Sequence, residues 1–167
     1  MNTREMVIEA QCSKISRLAD FENMIGDLYE IYALLFPNMA PFWQSIVKEE
    51  RKHAKLLIAM TGLSRDGHIF YNLDMMDTKS VEQYVSDIKA NITAARQGIK
   101  PQDAIVTALS IEASVVEADF YKDVKSDAPE FQVIAHQLIK DTQRHADLIA
   151  DELNKYLTLA QCKPQSY

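Results

Sequence analysis

Apolar residues recur every three or four positions through four long segments of the chain, which is the spacing of a buried helix face. The segments run from about Thr3 to Phe36, from Pro37 to Met60, from Pro101 to Lys125 and from Pro129 to Tyr156. Only 4 Gly and 5 Pro interrupt the 167 residues, too few for the frequent turns of a many-stranded sheet. The pattern predicts one all-α domain over residues 1–167.

The lengths of the connections predict how these helices pack. The first and last connections are only a few residues long, so each should join antiparallel neighbours. The second helix is predicted to stop at Gly62. The roughly 40 residues from Thr61 to Lys100 form a long crossover, in which Thr78 or Ser80 could cap the shorter helix VEQYVSDIKANITAARQ. Two hairpins joined by one long crossover form a ferritin-like four-helix bundle.

Charge and composition exclude several classes of protein. The net charge of −6 argues against nucleic acid as the main partner, because neutralising phosphates requires a basic face. No apolar run approaches the roughly 20 residues of a membrane-spanning helix, and the N-terminus lacks the apolar core of a signal peptide. Cys12 and Cys162 form neither a CxxC motif nor a disulfide framework. A cytoplasmic protein that binds neither nucleic acid nor membrane is expected.

The first sign of chemistry is an ExxH motif on the second helix. Glu50 and His53 are three residues apart and therefore share one helix face. Ile46 and Leu57 continue the same 4-3-4 spacing, so this face should be buried. An ExxH pair arises often by chance and is weak evidence alone.

The first helix supplies a carboxylate at the matching height. The stretch of chain from Glu22 to Pro37 is nearly as long as the stretches from Pro37 to Glu50 and from Pro37 to His53. At about 1.5 Å per residue, all three lie roughly 20–24 Å from the same turn. They should therefore meet side by side.

The second hairpin repeats this arrangement. The stretch of chain from Glu112 to Ala128 is nearly as long as that from Ala128 to His145. Glu112 and His145 each lie on the apolar face of their helix. Burying bare carboxylates costs several kcal/mol each unless something compensates. Bound metal ions would compensate, and a set of protonated or paired carboxylates in an inert core is the alternative.

Four segments resemble the rubrerythrin-like branch of the ferritin-like di-iron carboxylate superfamily: FENMIGDLY, EERKHAKLL, ALSIEASVVEADFY and FQVIAHQLIKDTQRHADLI. The resemblance covers essentially the whole chain. It implies a tyrosine, Tyr29, near the site and these metal ligands: Glu22, Glu50, His53, Glu112 and His145.

The chain departs from the family pattern at two places. The expected ExxH of the fourth helix begins with Thr142 instead of Glu. Asp141 is a further candidate ligand, and a solvated acid at the helix surface is the alternative. Rubrerythrins also carry an additional Glu on the third helix, where this chain has Leu109 and Val115 at the candidate positions. Both departures weaken the expectation of peroxidase activity.

The resemblance implies a non-haem di-iron oxidoreductase that acts on peroxide or dioxygen. Two iron ions are expected, with Mn or Zn as alternatives, bridged by Glu50 or Glu112. Electrons would come from an external redox partner. A non-catalytic metal-binding or scaffold bundle and a cage-forming iron store are the alternative functions. The resemblance, together with the apolar IFYNLDMM stretch, also predicts a homodimer.

No role in the chemistry of the site is assigned to several other polar and aromatic residues. Tyr29 and Tyr32 are interpreted as core aromatics rather than radical sites. Arg51 and Lys52 are interpreted as the solvated flank of the second helix, and His136 as an exposed residue.

Overall fold

A computed structural model of the chain describes residues 3–68, 70–71, 78–113, 125–126 and 128–161. Within these ranges the chain is almost entirely helical, which confirms the all-α prediction. No helix in them has an apolar stretch long enough to cross a membrane. The five α-helices are α1 (Thr3–Leu35), α2 (Ala40–Arg65), α3 (Thr78–Gln97), α4 (Pro101–Glu112) and α5 (Pro129–Gln161).

Two minor elements complete the described structure. A short 3₁₀ turn, Pro37–Met39, connects α1 to α2. The two-residue strands β1 (Phe70–Tyr71) and β2 (Lys125–Ser126) pair antiparallel. The rest of the IFYNLDMM stretch, from which the homodimer was predicted, lies outside the described residues.

Helices α1 and α2 form an antiparallel hairpin. Near its open end the Cys12 thiol lies 3.6 Å from the Thr61 carbonyl oxygen. Near the turn, the rings of Tyr32 and Trp43 lie 5.1 Å apart. Residues of α1 with higher numbers therefore pack against residues of α2 with lower numbers. Residues equally far from Pro37 on the two helices consequently lie at the same height, as predicted. In the second half of the chain, α4 packs against α5.

Helix α2 continues past Gly62, so the predicted stop at this glycine is wrong. The helix ends instead at Arg65 and is capped by Gly67, whose φ of 100° only glycine adopts readily. The N–H groups of Gly67 and His68 donate to the carbonyls of Ser64 and Leu63. These two bonds form a Schellman motif, which satisfies the last carbonyl groups of the helix.

The third predicted helix, α4, is shorter than expected. It ends at Glu112, with Ala113 in a turn, and Lys125 already belongs to the strand β2. The predicted helix end near Lys125 is therefore wrong, because that residue pairs with Tyr71 in extended conformation. Residues 114–124 of the predicted helix lie outside the described residues.

The predicted crossover helix is present as α3, which packs on the outside of α1. The rings of Phe21 and Tyr84 meet edge to face with centroids 6.3 Å apart. Arg17 lies 3.6 Å from Glu82, at the surface. The crossover thus covers one side of the first hairpin.

The buried apolar residues form two separate groups along the bundle. The group nearer the α1–α2 turn includes Tyr32, Trp43 and Ile105, and the other includes Leu57 and Phe131. Burial of each large side chain contributes about 1.5–3 kcal/mol. A buried polar cluster lies between the two groups, and it contains the residues singled out in the sequence.

Candidate metal centre

The structure brings the five predicted site residues together between the two apolar groups. Helix α1 supplies one, α2 two, α4 one and α5 one, and none of them is more than 7% exposed. They are Glu22, Glu50, His53, Glu112 and His145. The predicted convergence is confirmed, whereas the binding of metal by the full set stays a prediction.

Glu50 lies between the two histidines at the middle of the cluster. Its Oε2 atom lies 3.3 Å from Nδ1 of His53, and its Oε1 atom lies 2.8 Å from Nδ1 of His145. The imidazole rings are stacked, with centroids 5.2 Å apart and an interplanar angle of 22°. A single carboxylate therefore presents one oxygen to each histidine.

The other two carboxylates flank this central group. Glu22 Oε2 lies 3.8 Å from Nδ1 of His53, and Glu112 Oε2 lies 3.6 Å from Nδ1 of His145. Each histidine thus has the shared Glu50 and a second glutamate on its Nδ1 side. The cluster consists of two similar halves that share one residue.

Tyr29 fixes the orientation of one flanking carboxylate. Its hydroxyl donates a 2.8 Å hydrogen bond to Oε1 of Glu112. Burial, with the nearby charges of Glu112 and Glu50, raises the pKa of Tyr29 well above its usual value, so the phenol keeps its proton. The oxygen that faces His145 is the other one, Oε2.

The two closest groups of the cluster form an ion pair when no metal is bound. Burial alone would raise the pKa of Glu50, but His145 and His53 lower it to about 2. Burial alone would lower the pKa of His145, but Glu112 and Glu50 raise it to about 10. At neutral pH Glu50 is therefore ionised and His145 is protonated, which is the paired-carboxylate state that the sequence left open.

Asp141 lies beside His53 and not beside His145. Its Oδ2 atom is 3.6 Å from Nε2 of His53, the ring nitrogen that does not face Glu22 and Glu50. Only 5% of Asp141 is exposed, so of the two possibilities left open by the sequence the solvated acid is wrong, whereas its role as a metal ligand stays a prediction. A negative charge beside this nitrogen favours a proton on Nε2 over one on Nδ1, the nitrogen that faces the cluster.

The charge of Asp141 is compensated by cations at the edge of the bundle. Lys52 donates a 3.2 Å hydrogen bond to Oδ2, and Arg144 lies 3.5 Å from Oδ1. Burial alone would raise the pKa of Asp141, but hydrogen bonds from Gln137 and Lys52 outweigh this effect. The pKa therefore lies below its usual value and the carboxyl stays ionised. Lys52 lies on the solvated flank of α2, as interpreted from the sequence, and its ammonium group also pairs with Asp141.

Arg51 holds α1 and α2 in register one residue from a candidate ligand. It donates to the Asn23 carbonyl at 2.6 Å, to Asp27 at 2.6 Å and to Glu30 at 3.1 Å. Gly26 makes room for the guanidinium, since a Cβ atom there would lie 3.1 Å from Cζ of Arg51. Sequence reasoning missed this contact, and a glycine inside a long helix was the available signal.

Thr142 is buried at the level of the cluster and is 7% exposed. It follows Asp141 on α5 and lies three residues before His145, in the position where the family pattern has a carboxylate. The exposed position of His136 on the same helix agrees with the prediction.

The donor set fits a metal ion. Glu50, His53 and His145 each offer a ligand atom, and these atoms all lie within 4.8 Å of one another. The short contact between Glu50 Oε1 and His145 Nδ1 lacks hydrogen-bond geometry, and neither atom has a hydrogen-bond partner among the described residues. Buried polar atoms that converge in this way suit an ion held between them. The group could therefore hold a metal ion.

Comparison of the chain with family models, with curated proteins and with solved structures found no match. The resemblance to the rubrerythrin-like branch therefore rests on the residues of the four quoted segments.

Proposed function

We propose that the chain is a ferritin-like di-iron oxidoreductase of the rubrerythrin type, which acts on peroxide or dioxygen with electrons from an external donor. One observation carries the proposal: a buried glutamate, Glu50, directs one oxygen towards each of two histidines. A shared carboxylate with one imidazole on each side suits two ions held close together.

The geometry favours Glu50 over Glu112 as the bridging ligand. Glu112 directs one oxygen to Tyr29 and the other towards His145, whereas Glu50 directs an oxygen towards each histidine. Glu22, Glu50 and His53 would hold one ion. Glu50, Glu112 and His145 would hold the other.

The surrounding residues prepare this site for chemistry. Bound iron would supply Lewis acidity and one-electron redox chemistry. The charge of Asp141, 3.6 Å from Nε2 of His53, would favour the tautomer whose Nδ1 atom can bind an ion, and Tyr29 holds one oxygen of Glu112. The apolar groups on both sides keep bulk water out, which strengthens the electrostatic interactions within the cluster. The antiparallel first hairpin, the long crossover and the packing of α4 on α5 support the ferritin-like arrangement.

Anaerobic titration with Fe(II), followed by oxidant, tests the proposal. Two Fe(II) should bind per chain at saturation, and one equivalent of peroxide should oxidise both, since peroxide accepts two electrons and two protons to form water. Iron oxidation is followed by absorbance and peroxide by a consumption assay. Iron that binds but stays ferrous with both peroxide and dioxygen would favour the non-catalytic metal-binding alternative. Mineral growth far beyond two irons per chain would favour the iron store.

Thr142 is the residue at which the proposed site differs most from a complete one. Its hydroxyl is a poor, neutral ligand for iron or manganese, so the ion beside His145 should bind more weakly than the other. Thr142→Glu should tighten this second binding event by tenfold or more. Calorimetric Mn(II) titration measures both events.

Thr142→Gln is the matched control, because it adds the same bulk without the charge. In Thr142→Gln the second Mn(II) ion should therefore still bind weakly. If the wild-type protein already binds two ions as tightly as Thr142→Glu does, Thr142 does not stand in place of a missing ligand.

A further inference from the structure

Three redox-active aromatic side chains are packed together beside the candidate metal centre. Tyr29, Tyr32 and Trp43 are fully buried. The ring centroids of Tyr29 and Trp43 lie 5.4 Å apart, those of Tyr32 and Trp43 5.1 Å, and those of Tyr29 and Tyr32 6.1 Å. At these separations one electron can pass between neighbouring rings.

The triad connects the site to the end of the bundle. At one end the Tyr29 hydroxyl donates to Glu112 at 2.8 Å. At the other, the rings of Tyr32 and Phe36 lie 6.4 Å apart. Phe36 lines an open groove of about 850 Å³ beside the α1–α2 turn. A molecule in this groove would be separated from Tyr32 by a single ring.

Packing alone does not explain the choice of tryptophan at position 43. Its indole N–H is buried and has no hydrogen-bond partner among the described residues. A buried donor without a partner destabilises the folded state, which a phenylalanine or leucine at this position would avoid. The indole therefore stabilises the core less than an apolar ring would, and a role in electron transfer would account for the tryptophan at this position.

We propose that Tyr29, Trp43 and Tyr32 form a relay that carries single electrons from the groove at the α1–α2 turn to the metal centre. The relay rests on the proposed function, since the oxidant is peroxide or dioxygen acting at the metal centre. The reductant is an external one-electron donor.

Electrons and protons balance in two steps. Tyr29 gives one electron to the oxidised centre while its O–H bond breaks, and the proton passes to Oε1 of Glu112. Trp43, whose ring lies 5.4 Å from that of Tyr29, then gives one electron to the Tyr29 phenoxyl radical, which takes its proton back from Glu112. The external donor in the groove then returns one electron to Trp43 by tunnelling past the ring of Tyr32, which lies between them in the relay and keeps its proton. The net change is the transfer of one electron to the centre with no residue altered.

The relay can be tested without metal, because the chain contains a single tryptophan. Laser photoionisation of Trp43 in the metal-free protein should give an indole radical whose decay matches the growth of a phenoxyl signal. In Tyr29→Phe/Tyr32→Phe the decay should slow by at least tenfold without a phenoxyl product. Tyr84→Phe, which removes a tyrosine that packs on Phe21 outside the triad, should behave as wild type. Unchanged decay in the double variant would overturn the relay.

A second measurement separates the relay from the proposed function. Peroxide added to iron-loaded protein without reductant should give a phenoxyl radical in the electron paramagnetic resonance spectrum. Tyr29→Phe should remove the signal, and Trp43→Phe should prolong it, because Tyr29 is then not re-reduced. Iron oxidation with no phenoxyl signal in any variant would overturn the relay and leave the metal site standing. Iron that peroxide does not oxidise would overturn the proposed function, and the relay would lose its electron acceptor.

Discussion

Glu50→Ala is expected to abolish metal binding by the chain, with a loss of affinity of at least a thousandfold for both ions. The carboxylate has one oxygen 3.3 Å from His53 and the other 2.8 Å from His145, so its removal takes a ligand from both halves of the cluster at once. Glu22→Ala removes a ligand from one half only and should leave one ion bound. Metal analysis after gel filtration, with calorimetric titration of Mn(II), measures the number of ions and their affinities.

The neighbouring Glu49 provides a matched control. It lies on the same helix and carries the same charge, but it is partly exposed and pairs with Lys52 and Arg144 at the surface. Glu49→Ala should therefore bind two ions with affinities within a few-fold of wild type. Equal metal content in Glu49→Ala and Glu50→Ala would show that the buried cluster is not the binding site.

The positions of the site residues along the bundle were predictable because the rise of an α-helix is nearly constant. Counting from Pro37 placed Glu22, Glu50 and His53 at one height, and the structure places both carboxylates within 3.8 Å of His53 Nδ1. Helical periodicity also identified their faces as buried. Both inferences use properties of single helices, which the local sequence determines.

The ends of α2 and α4 were not predictable in the same way. Gly62 and Gly67 are equally plausible stops in the sequence, and only Gly67 adopts the positive φ at which the last carbonyls are satisfied. The strand pairing of Lys125 with Tyr71 joins residues far apart in the chain. Propensity within a segment does not report such a contact.

The contacts of the polar residues around the site were not predictable for a related reason. Asp141, Lys52 and Arg51 all resemble surface residues, since charged side chains on a helix are usually solvated. Their roles depend on the rotation of each helix and on what the opposite helix presents. Asp141 reaches His53 across the bundle, and Arg51 reaches three acceptors on α1. These are contacts between helices, which periodicity within one helix cannot indicate.

Metal binding should release a proton from His145. In the metal-free protein Glu112 and Glu50, acting against burial, raise the pKa of His145 to about 10, so its Nδ1 atom must lose a proton before it can bind an ion. The apparent affinity for the ion beside His145 should therefore rise about tenfold per pH unit below pH 10. Calorimetric titration with Zn(II) between pH 6 and 8, in two buffers of different ionisation enthalpy, measures the affinity and counts the protons released.

The stability of the metal-free protein should change in the opposite direction. Because the pKa of His145 is higher in the folded state, its stabilising contribution is complete below about pH 6.5 and is lost as the pH rises towards 10. The contribution of Glu50, whose pKa is lowered, is complete above about pH 4.5 and is lost as the pH falls towards 2. The difference in melting temperature between zinc-loaded and metal-free protein should consequently widen from pH 6 to pH 8. His136→Gln, an exposed histidine on the same helix, should leave this widening intact, whereas His145→Gln should abolish it. A melting-temperature difference that stays constant with pH, together with no proton release, would mean that His145 is not a ligand.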